Sequence, residues 1–449
     1  MWERHGKRSF RVSVGSEDWV LLSEPDDVAV LFSDSSILSK SPERNAAVKP
    51  FFGNSVSTSE GERWRWARKL VLSSFNMKNM QQRLNTVNSR SDVLLKILSN
   101  YDGKGPVPLY QYLRPFMLDI LFNTLMGVDS NFLENPNHPY LIESGKVIHM
   151  ITENYFSYWR NIRPIFALTS TYREQIAAIK TIQETGSNVI RQRKSKLKKI
   201  IDDVKLNNRT VDVDVHELIQ KRLSEDNTLL DTYLLKTLPN GDPVPDDVIN
   251  EEISFIYFTG HFTTAVTISH ALYCLAKNPE IQNKVLEEQR SIFNTDFLRK
   301  PTMQDLNEMK YLEAAIKETL RVIPTVPKIG RKLNKDMTMR DGRVIPAGTT
   351  VIVYYEAMFV NEKVFPEPHK FSPERFFENN IQSHAFLPFG GGPRSCIGFR
   401  FAWMAVKAAL SNILRRYEVL EGGPGTEPQF SYRIVTESKN GINVKLSKR

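Results

Sequence analysis

FGGGPRSCIGFRFAWMAVKAAL, residues 389–410, places a cysteine behind three glycines and a proline and ahead of a long run with helical apolar spacing. A cysteine at the first turn of a helix meets backbone N–H groups without intrahelical partners and the positive end of the helix dipole. Both favour thiolate over thiol. Nucleophilic catalysis asks for a nearby base, and no His or Asp stands close in sequence. Zinc asks for further Cys or His ligands at short spacing, and none accompany Cys396. A single thiolate is enough for one task, the axial ligand of haem iron. On that reading Gly390, Gly391 and Gly392 let backbone approach a flat macrocycle, and Gly398 leaves room beside the sulfur. Arg394 pairs with a propionate, and Phe389 covers the proximal side of the iron. A lone cysteine is ordinarily a small core residue. The pattern F-x-x-G-x-R-x-C-x-G outweighs that, because each fixed position serves one purpose.

The rest of the chain is compatible with such a site. Its 449 residues, 41% hydrophobic, can bury a large core. Cys274 and Cys396 are the two cysteines, too few for a disulfide framework, which fits reducing surroundings. The formal charge of +9 and pI near 9.2 suit nucleic acid, an anionic membrane or an acidic protein about equally. Mean hydropathy is −0.35, no apolar run approaches the ~20 residues that span a bilayer, and the N-terminal residues lack a signal-peptide core.

Short β-branched and aromatic runs in 9–33 read as strands around a turn at Gly15-Ser16-Glu17, followed by a helix capped near Ser23 or Asp26. From about 60 to 320 the spacing is helical. Residues 322–356 turn β-like, with turn signals at Asp341-Gly342 and Ala347-Gly348; 361–395 read as irregular, and 397–416 as a helix before a strand-like tail. No repeat or linker divides the chain, which predicts one mainly α domain over 1–449 with a smaller β portion. The run RQRKSKLKK (191–199) reads as a solvated helix end, since no aromatics or motif support nucleic-acid binding. The sequon Asn208-Arg209-Thr210 reads as chance.

Phe389, Gly390, Gly392, Arg394, Cys396 and Gly398 resemble the haem-binding signature of the cytochrome P-450 superfamily position by position. Other segments are similar in the family's order. KETLR supplies Glu318 and Arg321, and PERF supplies Arg375, which resemble the family's Glu-Arg-Arg structural cluster. WRWARK supplies Trp64 and Arg68, four apart on one helix face, and PKIGRKL supplies Arg331; all three resemble propionate ligands. The segments YLEAAIKETLR, VIPAGTTVIV, FPEPHKFSPERF and NGINVKL look most like the animal clan that contains the fatty-acid ω-hydroxylases, insect sequences above all. The resemblance leads one to expect an N-terminal membrane anchor; this sequence starts within what resembles the first β-sheet, so the anchor is either never encoded or lies outside it.

EEISFIYFTGHFTTAVTISHALYCLA (251–276) resembles the family's central helix, which crosses the distal face of the haem. Gly260, Thr263 and Thr264 match, but Phe262 stands where the family carries an acid. Dioxygen activation consumes two protons, and the resemblance makes the acid and Thr263 their relay. A phenyl ring has no exchangeable proton, so its presence slows the step by ~10²–10⁴ if nothing replaces the acid. His261 is taken as structural. Thr259 replaces the Glu that many ω-hydroxylases esterify to a haem methyl, so haem b is expected to be non-covalent, with Thr259 adding a hydroxyl to the distal pocket.

The resemblance places substrate near Phe262, near Val326 in 324–327 and near Val435 in 434–436, with Phe262 adding bulk above the haem. It implies a monooxygenase that inserts one oxygen atom into a lipophilic substrate, with Cys396 and Thr263 as catalytic residues. The same resemblance implies electrons from NADPH through a reductase, at the cytosolic face of the endoplasmic reticulum membrane. Arg65, Lys69, Arg394, Arg400 and Lys407 form a cationic proximal face for that reductase. Two alternatives stay open: an isomerase or dehydratase of lipid hydroperoxides, which needs no proton relay, and a haem- or lipid-binding protein with little turnover.

Overall fold

The computed structural model describes residues 2–14, 17–75, 77–207, 228–236, 238, 241–378 and 381–449; Gly15, Ser16 and the sequon at Asn208 lie outside them. Helices dominate. Those that build the site are α1 (Pro42–Phe52), α2 (Gly61–Ser74), α3 (Leu109–Leu121), α4 (Pro139–Phe156), α5 (Ser170–Asn207), α6 (Asp246–Lys277), α7 (Lys310–Val322) and α8 (Phe399–Leu414). No described helix is long and apolar enough to cross a membrane.

Apolar residues sit all round the middle of α6, the mark of a helix that runs through a core rather than over it. It is buried along most of its 32 residues and packs against α3, α5, α7 and α8. Gly260 permits the close approach of α3: a Cβ there would lie 3.0 Å from Leu121 Cδ1. The glycine that matches the family's central-helix motif therefore has its bare side toward a neighbouring helix.

The β portion is small and peripheral. Strands β1 (Phe10–Val14), β2 (Glu17–Leu22), β3 (Lys328–Lys332) and β4 (Thr350–Tyr354) form a sheet ordered β1-β2-β4-β3, with β2 and β4 parallel. Near the C-terminus, β5 (Phe430–Tyr432) and β6 (Thr436–Ser438) pair as a short antiparallel hairpin. The helix after β2 spans Pro25–Ser33 with Glu24 at its N-cap and no capping side chain. Ser23 accepts a hydrogen bond from Trp2 Nε1 instead, so neither expected cap is used. In the basic run, Arg191, Lys194, Lys198 and Lys199 are exposed on α5, whereas Arg193 is buried and paired with Asp231.

Candidate active site

The cysteine loop is held by its own backbone. Gly390 and Gly392 have φ of 74° and 67°, a region that favours glycine. The Cys396 N–H donates to Phe389 O at 2.9 Å, and Ser395 N–H to Gly392 O at 3.1 Å. A Cβ on Gly391 would come 2.6 Å from the Phe32 ring, whereas one on Gly398 would meet no protein atom within 4 Å. Gly391 is thus fixed by packing, and Gly398 borders open space beside Cys396. The helix begins at Phe399, three residues past the cysteine.

Cys396 is accessible from the cleft, yet dense protein surrounds it and burial raises its thiol pKa above the ordinary value. Both hold for a group on the wall of an enclosed cleft. The Gly398 N–H, Arg68 and Lys40 oppose the rise. The expected preference for thiolate is therefore not met by the helix terminus alone, because burial outweighs it. A metal ion at the sulfur would displace the proton.

Five cations converge beside this loop: Lys40, Arg44, Arg68, Arg331 and Arg394. Burial drives Lys40 well below its ordinary pKa, and Arg44, Arg331, Arg394 and Arg68 push it further. Burial also brings Arg44 and Arg394 down to about 10, with Arg331 adding to the shift in both. Glu60 offsets part of this at Arg394. Arg331 is buried and the other four are half-buried, and cations so crowded normally face carboxylates. Such a cluster fits the two carboxylates of haem, and with a cysteine beside it the donor set suits an iron porphyrin.

The individual cations also hold groups of the protein itself. Arg68 donates to Ser395 O at 3.1 Å, and its guanidinium lies 5.8 Å from the Trp64 ring. Arg394 stacks at 4.0 Å on the other member of that pair, Trp64, and donates to the carbonyls of Leu38, Val56 and Ser59. Much of its capacity thus orders loop backbone. Arg331 is buried, donates to Gly330 O at 2.9 Å and lies over Phe32. Lys40 and Arg44 escaped the sequence reading, since SKSPER carries no mark that separates them from surface charge. Lys407, grouped by sequence with surface cations, is buried with Nζ 3.0 Å from Glu313 Oε2.

On α6 a strip of partly accessible residues interrupts an otherwise buried helix: Phe255, Ile256, Thr259, Gly260 and Thr263. Phe255 and Ile256 join Trp64 and Ile397 in one apolar cluster, which ties the strip to the cysteine loop. Thr259 donates to Phe255 O and Thr263 to Thr259 O, both at 2.8 Å. Each hydroxyl spends its proton on the helix and keeps lone pairs to accept with. At the N-terminal end of α6 the carboxyl of Glu252 accepts from Val56 N–H at 2.9 Å and Arg63 Nη2 at 2.7 Å. Burial pushes Glu252 up to about 7 against the pull of Arg63 and Val56.

Phe262 does not lie on the accessible strip. It is 1% exposed and packs with Ile148, Val266 and Val435. Its ring turns into this packed cluster rather than toward the accessible strip. His261 is buried, and its Nδ1 lies 2.7 Å from Tyr257 O; burial brings it down to about 4, so it stays neutral at ordinary pH. The three substrate-side segments do meet: Val435 touches the cluster of Phe262, Thr267 Oγ1 is 2.9 Å from Thr325 Oγ1, and Thr436 N–H donates to Thr325 O at 2.9 Å. Val326 is half-buried between them in sequence.

Behind the cysteine loop, Glu318 accepts from Arg321 Nε and Nη2, both at 2.8 Å, and from Arg375 Nε at 3.1 Å. The two arginines also donate to the carbonyls of Phe359, Pro366 and Lys370. This anchors α7 to the irregular segment that leads into the loop. Phe389 stands against Trp403, ring centroids 5.7 Å apart.

Comparison with known proteins agrees with this geometry. The family model described as Cytochrome P450 matches residues 3–443. The chain is 33% identical to Cytochrome P450 4d2 of Drosophila melanogaster over all of its length and 88% of the relative's. It is 31% identical to Cytochrome P450 4c3 of the same fly, covering 98% of the chain and 82% of the relative. The chain belongs to the cytochrome P450 family, as a haem-thiolate monooxygenase of the type found in these insect relatives.

Proposed function

We propose that this chain inserts one atom of dioxygen into a lipophilic, fatty-acid-like or xenobiotic substrate, with electrons delivered from NADPH by a cytochrome reductase at a membrane surface, the cytosolic face of the endoplasmic reticulum. The observation that carries this is the meeting of three segments at Val266, Thr325 and Val435, joined to Thr263 through the Thr267 hydroxyl, which donates to Thr263 O at 2.9 Å and lies 2.9 Å from Thr325 Oγ1. An apolar wall with few polar groups suits such a substrate. Haem, when bound, would supply the dioxygen chemistry; Cys396 would hold it, and the cation cluster would face its carboxylates. Haem is non-covalent on this reading, since the Thr259 hydroxyl is committed to Phe255 O.

Two surfaces support the partners. Phe156, Trp159, Ile162, Ile165 and Leu168 expose apolar side chains between α4 and α5, which suits insertion among lipid headgroups. Arg65, Lys69 and Arg400 remain exposed near the cysteine loop once Arg394 and Lys407 are discounted, with Leu72 and Phe399 exposed beside them. That face suits an acidic reductase.

The test supplies NADPH, reductase and a fatty-acid panel in one arm and a lipid hydroperoxide in the other. Oxygenated product in the first arm supports the proposal. The absence of an acid at Phe262 favours one second reading, rearrangement of a hydroperoxide, and product confined to the second arm would establish it. Silence in both arms, with haem bound, means a binding protein. Reduction that does not slow as salt is added would count against the cationic face.

A further inference from the structure

Arg114 on α3 lies between two aromatic rings, 4.9 Å from the centroid of Tyr110 and 4.5 Å from that of Phe262. Its guanidinium pairs with Glu437 on β6, and its Nε is buried without a hydrogen-bond partner. A second contact runs from Arg433, beside β5, to His149 Nδ1 on α4 at 3.2 Å. Two strands of three residues make a hairpin with little stability of its own. Its position depends on what grips it. Thr436 grips the 324–327 segment, its hydroxyl donating to Pro324 O at 2.5 Å and its N–H to Thr325 O. Val435 and Ile434 pack on Phe262 and Ile148. The Arg114–Glu437 pair adds a charged tie directly over Phe262, where apolar packing alone would let the hairpin slide.

We infer that Arg114 and Glu437 are positioning residues that fix hairpin 430–438 as a wall of the substrate site, and so set how tightly a long apolar tail is held. This rests on the substrate side assigned above. Both partners are partly buried, with side chains 22% and 12% exposed, so removing one leaves the other charge poorly solvated.

The test compares imidazole, which reaches only the iron, with N-dodecylimidazole, whose tail must lie along the apolar wall. Both are titrated by their Soret shift in the haem-loaded protein and in Glu437→Gln and Arg114→Lys. The affinity for N-dodecylimidazole is expected to fall about tenfold in each variant, with imidazole unchanged. Hydrogen exchange in 430–438 is expected to quicken in the same variants. An unchanged tail contribution overturns the inference. So does a parallel loss for both ligands, which would mark a general structural role. If imidazole gives no shift in the parent protein, the haem assignment has failed, and exchange alone decides: unchanged rates in 430–438 overturn the positioning role.

Discussion

The guanidinium of Arg394 stacks 4.0 Å from the ring centroid of Trp64, so the cysteine loop and α2 share a face. The loop is thereby held from outside as well as by its own turn, and Cys396 is presented to the cleft by a rigid support. Cys396→Ala should leave the fold intact and abolish thiolate ligation. The parent protein, reduced and treated with CO, should show the red-shifted Soret band of a haem thiolate, and the variant should not. A parent that binds haem without that band would show Cys396 misassigned.

Glu318 accepts from two buried guanidiniums. Glu318→Ala strands both and should cost about 3–5 kcal/mol of stability. Thermal unfolding of the two proteins measures it. A loss well under 1 kcal/mol would mean that the carbonyls of Phe359, Pro366 and Lys370 suffice for the arginines.

Where short stretches of chain do the work, the sequence was readable. The cysteine loop, the Glu318–Arg321 spacing and the Trp64–Arg68 spacing each fit within ten residues, and the structure brings their members together. What escaped depends on partners far apart along the chain. Lys40 and Arg44 look like surface charges until folding turns them toward Arg331 and Arg394. Arg114 and Glu437 carry no spacing that links them. Phe262 was visible as a departure, but which way its ring turns follows from Ile148 and Val435, set by helix packing rather than local pattern.

Glu252 gives a pH signature. Its carboxyl is raised from 4.5 to about 7 by burial, so between those values the folded protein holds more protons than the unfolded chain. Stability from this group therefore falls as pH rises through that window, by on the order of 3 kcal/mol. Glu252→Gln should remove that share of the slope. Urea unfolding of both proteins across the window tests it, and parallel curves would refute it.

Phe262→Asp should restore an acid beside Thr263. The guanidinium of Arg114, 4.5 Å from the ring it would replace, offers the new carboxylate a partner. Product per NADPH consumed should rise and hydrogen peroxide should fall. If haem content holds and neither changes, the missing acid does not limit this enzyme. Since the introduced carboxylate would compete with Glu437 for Arg114, tail binding should weaken in the same variant.

The convergence of Lys40, Arg44, Arg68, Arg331 and Arg394 has a consequence for the life of the polypeptide. Like charges brought together by folding resist it, and a bound dianion removes that resistance. Stability and ligand occupancy are then one quantity read in two ways. How much of this protein a cell maintains should follow how much haem it has to give, with the chain itself acting as the gauge.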